Sequence, residues 1–290
     1  NYMPELPEVE VVKRSLKNNI VNLTIKKVSI STNKLRYTID EKKFNKTINK
    51  KIISVKRRSK YLLIFLNNGF VILIHLGMTG KFFIVKKNKP KQKTSFYYEI
   101  KANDVKHNHI IFTLNKNLKL IYNDVRKFGF LKVMHKDDLY KNAHLSKLGP
   151  EPLSKKFNFT YFKKYIFNKK KNIKNLLMDQ SFVSGLGNIY VNEVLFLSKT
   201  NPKIISYNIS TIEIKKIIRY IKEVLVKSID KGGSSIKNFN NSDGREGEFQ
   251  QEFNVYAREG QKCLKLDCRG TIKKIFTSNR STFYCNRCQK

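Results

Sequence analysis

The sequence lacks any long uncharged apolar run. The longest apolar stretch, residues 70–76, already contains His75, whereas a helix that crosses a membrane needs roughly 18 or more apolar residues. The first residues also contain no apolar core of the kind that a secretory signal requires. These absences argue against a membrane-spanning or secreted chain, so we expect a cytoplasmic location.

Acidic residues are scarce as well. Lys and Arg together number 59, Asp and Glu number 22, and the formal net charge is +37 at pH 7. Such an excess favours a polyanionic partner. An AT-rich genome, which favours Lys, Asn and Ile, would explain some of the lysine but not the shortage of acids. Nucleic acid is therefore favoured over a membrane surface, because no basic amphipathic anchor helix stands out.

Cysteine occurs only four times, as a C-x4-C pair, Cys263 and Cys268, and sixteen residues later a C-x2-C pair, Cys285 and Cys288. Two pairs of thiolates on tight turns, separated by a short hairpin, are typical of a tetrahedral zinc site. Two disulfides are the alternative, which a reducing cytoplasm disfavours. Asp267 as a substitute ligand is a further alternative. The spacing predicts one structural Zn²⁺ and a module that needs the metal to fold.

The first half of the chain has a strand pattern behind a short helix. Residues 4–18 suit a helix with a proline in its first turn. Apolar runs at 61–66 and 70–74 flank a turn that ends in Gly69, and a similar pair follows at 109–122. Repeated strand-turn-strand patterns predict an antiparallel sandwich or barrel.

The second half is helical. Beyond the boundary around Pro150, the segment 210–213 has capping-box spacing and precedes apolar residues at the helical period. The two glycines at 232 and 233 close that helix. Residues 240–248 are polar and glycine-bearing, so we expect a mobile loop there.

The N-terminal segment Met3-Pro4-Glu5-Leu6-Pro7-Glu8 carries distinctive chemistry. Removal of the methionine would leave Pro4 with a secondary α-amine. An α-amine has a pKa of about 8, against about 10.4 for lysine, so more of it is unprotonated at neutral pH. Attack on a sugar C1′ gives an iminium ion that acts as an electron sink, and Glu5 is placed to handle protons. Taken alone, the segment is also an ordinary helix start.

Four internal segments add to this pattern, and each has a plain structural alternative on its own. They are Arg57-Arg58-Ser59-Lys60-Tyr61, His75-Leu76-Gly77-Met78-Thr79-Gly80, Asp124-Val125-Arg126-Lys127-Phe128-Gly129 and Val183-Ser184-Gly185-Leu186-Gly187-Asn188. With the N-terminal segment and the cysteine pairs, they resemble the formamidopyrimidine-DNA glycosylase family almost from end to end. One departure is the first cysteine pair, which has four intervening residues where the family usually has two.

The resemblance implies an α+β multidomain fold. An N-terminal antiparallel β-sandwich with a leading helix would be followed by a helical helix-two-turn-helix domain and a C-terminal zinc-finger hairpin. The expected boundaries are 1–137 for the catalytic sandwich, 138–155 for a linker, 156–248 for the helix-two-turn-helix domain and 249–290 for the zinc finger.

The resemblance also implies a function, that of a bifunctional DNA glycosylase and abasic-site lyase of base excision repair. Such an enzyme excises oxidised purines, 8-oxoguanine and formamidopyrimidines, through a proline Schiff base and β,δ-elimination. The implied catalytic residues are Pro4, Glu5, Lys60 and Arg280. The implied DNA-binding residues are His75, Met78, His107, Arg126, Phe128, Lys169, Lys174, Asn188 and Tyr256.

Met78, Arg126 and Phe128 would fill the void left by a flipped nucleotide. Extruding a base costs a few kcal/mol of unstacking, which an apolar wedge and a guanidinium partly restore. Arg126 can also hydrogen-bond the orphaned cytosine. Core packing is the alternative for Met78 and Phe128, but both stand beside glycines in predicted loops.

Three other interpretations stay open. The related endonuclease VIII branch removes oxidised pyrimidines, although Leu6 and the complete Met78, Arg126 and Phe128 set favour the purine branch. Retention of Asn1 and Tyr2 would acylate Pro4 and leave a non-catalytic lesion-binding protein, so we expect a start at Met3 or trimming. A zinc-ribbon RNA-binding protein would leave the other matches unexplained. The expected partner is double-stranded DNA with oxidised bases or abasic sites, bound by a monomer in the bacterial nucleoid.

Overall fold

The computed structural model of the protein describes residues 3–86, 90–94, 102–233 and 253–290. Within these ranges the chain forms two compact units. Unit 1 contains the described residues up to 146 together with 231–233, and unit 2 contains 147–230 and 253–290. The loop expected at 240–248 lies outside the described residues.

Unit 1 begins with a helix and continues as two antiparallel sheets. The helices are α1 (Leu6–Ile20) and the short α2 (Glu41–Asn45). One sheet contains β1 (Ile25–Ile30), β5 (Gly80–Lys86), β6 (Gln92–Lys93), β7 (Asn108–Leu114) and β8 (Leu118–Asp124), in the order β1-β7-β8-β5-β6. The other contains β2 (Ile52–Arg58), β3 (Tyr61–Leu66), β4 (Phe70–His75) and β9 (Phe130–His135), in the order β2-β3-β4-β9.

The two sheets pack on a common apolar core. Buried side chains of both sheets, such as Phe112 and Ile64, belong to one cluster with Val12 and Leu16 of α1. Both predicted hairpins are present, since β3 pairs with β4 and β7 pairs with β8. Burial of apolar faces from two twisted sheets is what stabilises a β-sandwich. The predicted sandwich with a leading helix is therefore confirmed.

Unit 2 is mostly helical and ends in a hairpin. Its helices are α3 (Phe159–Ile166), α4 (Ile173–Met178), α5 (Asn188–Leu197) and α6 (Thr211–Asp230), and its strands are β10 (Ile272–Thr277) and β11 (Arg280–Cys285). Short 3₁₀ turns occupy Ala102–His107, Lys136–Lys141 and Ser206–Asn208.

The ends of α6 follow the predicted signals. The Ser210 N–H donates to Oε2 of Glu213 at 2.9 Å, and the Glu213 N–H donates to Oγ of Ser210 at 3.2 Å. This reciprocal capping box satisfies donors that the first helical turn leaves open. Gly232 and Gly233 then end the helix with φ of 78° and 85° respectively, in the left-handed region that glycine tolerates. Among the described residues, no helix is long and apolar enough to span a bilayer.

Candidate active site and metal centre

The N-terminal segment is buried where α1 begins. Pro4 is buried and Glu5 is only 4% exposed. The Glu5 N–H donates to Oε2 of Glu8 at 2.9 Å, and the two residues form a capping box at the start of α1. The helix N-terminus adds a partial positive charge, which favours negative groups there. The sequence therefore places Pro4 and Glu5 at a rigid, positively polarised helix start.

A buried ion pair ties α1 to the hairpin that carries Lys60. Nε of Arg57 donates to Oε2 of Glu10 at 2.9 Å, and Nη1 of Arg57 donates to the backbone oxygen of Ser59 at 2.9 Å. Ser59 has a φ of 56° in the tight β2–β3 turn, and Lys60 beside it is 7% exposed. Because one guanidinium holds both α1 and the turn, the Pro4 segment and Lys60 are braced against the same helix.

Glu10 balances several cations. Burial raises the pKa of this carboxyl, but hydrogen bonds from Lys13 and Arg57 lower the pKa by more, so the net shift is downward. Glu10 therefore stays ionised at neutral pH. No sequence pattern links Glu10 to Arg57. Neighbouring sequence could not show that the two residues meet, since 46 residues separate them along the chain.

His75 ends β4 as a neutral imidazole. Burial and, to a smaller extent, the nearby charge of Lys60 together lower the pKa of His75 to about 4. Its Nδ1 accepts a hydrogen bond from the Gly77 N–H at 3.1 Å. A neutral ring that accepts at Nδ1 carries its proton on Nε2. The ring also stacks on Phe130, with centroids 5.8 Å apart.

The three predicted wedge residues lie on two touching loops. Nη1 of Arg126 is 3.4 Å from Sδ of Met78, and the guanidinium carbon lies 4.4 Å from the centroid of the Phe128 ring. Met78 is half-buried, while Phe128 is 44% exposed. The structure brings the three side chains together at the surface of unit 1, and Phe128 is not a core residue.

Close backbone contact between these loops requires glycine. Gly77 has a φ of 63°, and a Cβ on it would lie 2.5 Å from the backbone nitrogen of Gly129 and 2.5 Å from the backbone carbon of Phe128. Any larger residue would separate the loops. His107 is half-buried before β7, with its ring 6.5 Å from that of His109.

In unit 2, Lys174 and Asn188 converge on the hairpin that carries Arg280. Nζ of Lys174 donates to the Ser281 backbone oxygen at 2.9 Å and to Oγ1 of Thr282 at 2.6 Å. Nδ2 of Asn188 donates to the same Ser281 oxygen at 2.9 Å. Arg280 is exposed at the start of β11, after a turn in which Ser278 and Asn279 have φ of 47° and 59°.

Lys174 differs from the expectation of a solvated DNA contact. Its side chain is 0% exposed. Burial lowers the pKa of Lys174 to about 8, with a further contribution from the charge of Arg280. The contacts with Ser281 and Thr282 explain its position, because a buried ammonium group needs acceptors. Its sequence neighbours gave no sign of this burial.

The two other predicted DNA-binding residues of unit 2 are Lys169 and Tyr256. Lys169 is exposed after α3, with Nζ 5.4 Å from the centroid of the Tyr165 ring. Tyr256 is half-buried, its ring centroid 5.2 Å from that of Phe283. The Tyr256 N–H donates to Oε1 of Glu193 at 2.9 Å.

Glu193 is an anchor that the sequence analysis missed. It is 2% exposed within α5 and also accepts hydrogen bonds from the Asn254 and Val255 N–H groups, at 2.8 and 3.0 Å, and from the side chain of Asn254. One carboxylate thus fixes the backbone of 254–256. An acid inside an apolar helix of such a basic chain was a signal that could have identified it.

The four cysteines form a compact donor set. Their Sγ atoms all lie within 4.8 Å of one another. Asp267, the alternative ligand, is not a member of this group. The Gly270 N–H donates to Sγ of Cys268 at 3.4 Å, and a Cβ on Gly270 would lie 2.7 Å from Sγ of Cys285. Four converging thiol groups fit tetrahedral Zn²⁺, so the widened first pair still allows the cysteines to converge.

Three family models match successive parts of the chain. Residues 3–131 match the family model of the formamidopyrimidine-DNA glycosylase N-terminal domain. Residues 148–240 match the H2TH domain of that glycosylase, and 260–290 match a zinc finger found in FPG and IleRS. A β-sandwich followed by an H2TH domain and a zinc finger identifies the chain as a DNA glycosylase of this multidomain class.

Relatives narrow the class to one family. The formamidopyrimidine-DNA glycosylases of Rickettsia bellii and Rickettsia conorii are 44% and 42% identical to this chain, and the alignments cover 99% of it and 100% and 99% of the relatives. The solved complex between the Lactococcus lactis Fpg and an abasic site containing DNA matches with a TM-score of 0.85 and 33% identity, over 99% of this chain and 100% of that one. This chain belongs to the formamidopyrimidine-DNA glycosylase family.

The resemblance predicted from the sequence is therefore confirmed, as is the multidomain α+β fold. The matched zinc-finger family and the four clustered cysteines also support the predicted structural zinc ion.

Proposed function

We propose that this protein is a bifunctional DNA glycosylase and abasic-site lyase of base excision repair that excises oxidised purines from double-stranded DNA. Family membership supports the glycosylase activity. The observation that carries the proposed chemistry is the Pro4–Glu5 helix start, braced through Glu10 and Arg57 against the Lys60 turn. A Lactococcus lactis relative has been solved with a Fapy-dG containing DNA, which agrees with a purine lesion.

Pro4 is the proposed nucleophile once its nitrogen is the chain terminus. The nitrogen lone pair forms a bond to C1′ while the glycosidic bond breaks, and the base leaves with the electron pair of that glycosidic bond and takes up a proton. The nitrogen then loses its proton, and its lone pair forms the C=N bond of an iminium ion as the C1′–O4′ bond breaks and O4′ takes up a proton. The iminium ion is a strong electron sink. Loss of the C2′ proton then expels the 3′ phosphate, and a second elimination expels the 5′ phosphate. The deoxyribose is removed without hydrolysis of the phosphodiester bonds.

Glu5 and Lys60 are proposed to assist at the sugar. Glu5 adjoins the nucleophile in a buried position, so its carboxyl group is suited to proton transfer at the sugar ring oxygen. Lys60 is largely buried with its charge near His75. We assign to Lys60 the β-elimination step, in which a cation stabilises the departing phosphate. The Nε2–H of neutral His75 is a suitable phosphate donor.

Met78, Arg126 and Phe128 are proposed to occupy the gap left by the extruded nucleotide. Their mutual contacts already form a single projecting group in the protein. A preformed wedge lowers the conformational entropy lost on insertion. Arg126 would hydrogen-bond the orphaned cytosine, and His107 would bind the backbone nearby.

Unit 2 is proposed to contribute phosphate contacts and one catalytic residue. Arg280 would bind phosphates and assist the final elimination. Lys169, Asn188 and Tyr256 would contact the DNA backbone, and Lys174 would do so either directly or through the hairpin to which it is bonded. The four cysteines would hold Zn²⁺, which supplies a fixed fold for the hairpin and no chemistry of the reaction.

The charge of the chain supports DNA as the partner. With a net charge of +37, binding should displace several counterions and weaken steeply with salt. We further propose that the protein acts as a monomer in the bacterial cytoplasm, which agrees with the bacterial origin of its relatives.

Borohydride trapping tests the mechanism. A zinc-loaded protein that begins at Pro4 should give a covalent band with a duplex containing 8-oxoguanine opposite cytosine, because hydride reduces the iminium bond. A protein that retains Asn1 and Tyr2 should give none. Pro4→Ala in the short form keeps a primary amine and controls for the secondary amine.

Other outcomes would redirect the proposal. Equal bands from the short and long forms would indicate a nucleophile other than Pro4. Tight binding without a band from either form would support a non-catalytic lesion-binding protein. Faster reaction with a thymine glycol duplex than with 8-oxoguanine would place the protein with the enzymes that remove oxidised pyrimidines.

A further inference from the structure

A buried carboxylate lies beneath the loops that carry the wedge residues. Asp124 ends β8 and is 0% exposed. Its Oδ2 accepts hydrogen bonds from the Gly129 N–H at 2.8 Å and from the Tyr122 hydroxyl at 3.2 Å. Its Oδ1 accepts a short hydrogen bond from the hydroxyl of Thr79. The group therefore binds donors from both wedge loops.

Thr79 extends this connection to the backbone of Arg126. While the Thr79 hydroxyl donates to Asp124, its oxygen accepts a hydrogen bond from the Arg126 N–H at 3.0 Å. Thr79 follows Met78 directly, and Gly129 follows Phe128 directly. Arg126 thus bonds Thr79 through its own N–H. Met78 and Phe128 each directly precede a residue that donates a hydrogen bond to Asp124.

The surroundings of Asp124 keep these donors in place. Burial raises the pKa of the Tyr122 hydroxyl well above its ordinary value, and the Asp124 charge raises it further, so the phenol remains a donor. Nε2 of His109 lies 2.9 Å from the Asp124 backbone oxygen. A buried carboxylate is costly to desolvate unless several donors satisfy it. Here those donors belong to the two loops that must be held together.

We propose that Asp124 and Thr79 are positioning residues for base excision, which lock the Met78 loop to the Arg126–Phe128 loop so that the wedge is preformed. This inference rests on the proposed glycosylase function. Neither residue reaches the reacting atoms in this scheme. They act through Arg126, Met78 and Phe128.

Thr79→Val is the sharpest variant, because it removes only the hydroxyl group from a half-buried side chain. Single-turnover excision of 8-oxoguanine should fall roughly tenfold or more, as small misplacements of active-site groups do. Thr79→Ser keeps the hydroxyl and should restore excision. Cleavage of a preformed abasic duplex should fall less, because it has no base to extrude.

A double-mutant cycle separates positioning from general destabilisation. In an Arg126→Ala background, Thr79→Val should cost less than about twofold, since residues that act through one another are non-additive. An unchanged excision rate for Thr79→Val would overturn the proposal. Equal losses in both backgrounds would overturn it too, because the effect would then not pass through Arg126.

Hydrogen exchange gives a readout that needs no activity. The Arg126 and Gly129 amides should exchange faster in Thr79→Val than in the wild type, and Thr79→Ser should resemble the wild type. Unchanged exchange would refute the lock even if the wild-type protein proved inactive. Failure of excision in the wild type with the predicted exchange pattern would refute the proposed function and leave the lock standing.

Discussion

The sandwich of unit 1 and the cysteine module of unit 2 are stabilised in different ways. In unit 1, side chains from both sheets and from α1 meet in one large apolar core. In the module, the apolar cluster around Val255, Ile272 and Phe283 is small and includes two of the cysteines. The module instead relies on its thiol groups and on polar anchors such as Glu193. In unit 1, the apolar core together with the Glu10–Arg57 ion pair positions Pro4 and Lys60. In unit 2, the thiol groups and hydrogen bonds position Arg280.

Removal of zinc should have the largest effect. It should unfold the cysteine module and leave the sandwich of unit 1 folded. Structural zinc in small modules is associated with about 10–16 kcal/mol of binding free energy. Chelation, or Cys285→Ser at a fully buried cysteine, should therefore unfold the module and abolish excision. Hydrogen exchange should rise across 253–290 and stay unchanged in β3 and β4. A module that kept its protection without metal would contradict the comparison.

Glu193→Gln should have the next largest effect. The amide group cannot accept all the N–H groups that the carboxylate accepts, and each unsatisfied buried donor costs about 1–3 kcal/mol. We expect a loss of about 3 kcal/mol in the stability of unit 2, measured by urea unfolding.

The matched control is Glu223→Gln on α6, where an exposed glutamate pairs with Arg219 at 2.6 Å. An exposed pair of this kind contributes little to stability, because water and salt screen it. Similar losses for the two variants would show that Glu193 is not an anchor.

His75 should give the smallest effect, confined to unit 1 and to acidic pH. Its pKa is lowered from 6.5 to about 4 in the folded protein, so the unfolded state binds more protons between these values. Stability from this group is therefore complete above pH 6.5 and is lost as the pH falls towards 4. Between pH 7.0 and pH 4.5 this loss should be about 2 kcal/mol.

The variant His75→Asn tests this expectation, because an amide oxygen can replace Nδ1 as the acceptor for Gly77. Urea unfolding at pH 4.5 and 7.0, followed by circular dichroism since the chain has no tryptophan, should show a smaller pH dependence than in the wild type. An identical pH dependence in the two proteins would show that His75 is not its cause.

Local signals in the sequence predicted much of the fold. The turn ending in Gly69 and the capping box at Ser210 each depend on residues a few positions apart, and both are present in the structure. The spacing of the cysteines likewise predicted a metal site, and the four thiol groups lie together in the structure. The family resemblance then supplied the order of the domains and the choice of Met78, Arg126 and Phe128 as the proposed wedge residues.

Long-range polar contacts could not be predicted in the same way. Glu10 meets Arg57, Glu193 meets 254–256, and Lys174 meets a strand 107 residues away. These partners meet only when the chain folds, and no periodic pattern in the sequence marks such a contact. Asp124 was visible as part of a motif, but its role as an acceptor for both loops required the positions of Thr79 and Gly129.

The burial of Lys174 sets this lysine apart in its chemical reactivity. Acylating reagents modify lysines that solvent can reach, and Lys174 is the most buried lysine in the part of the chain that the structure describes, with its amine enclosed against the hairpin. While the hairpin is docked, such reagents should label the exposed lysines and spare this one. When the zinc module opens, Lys174 becomes accessible, so its modification records the state of the metal site from more than 80 residues away in sequence.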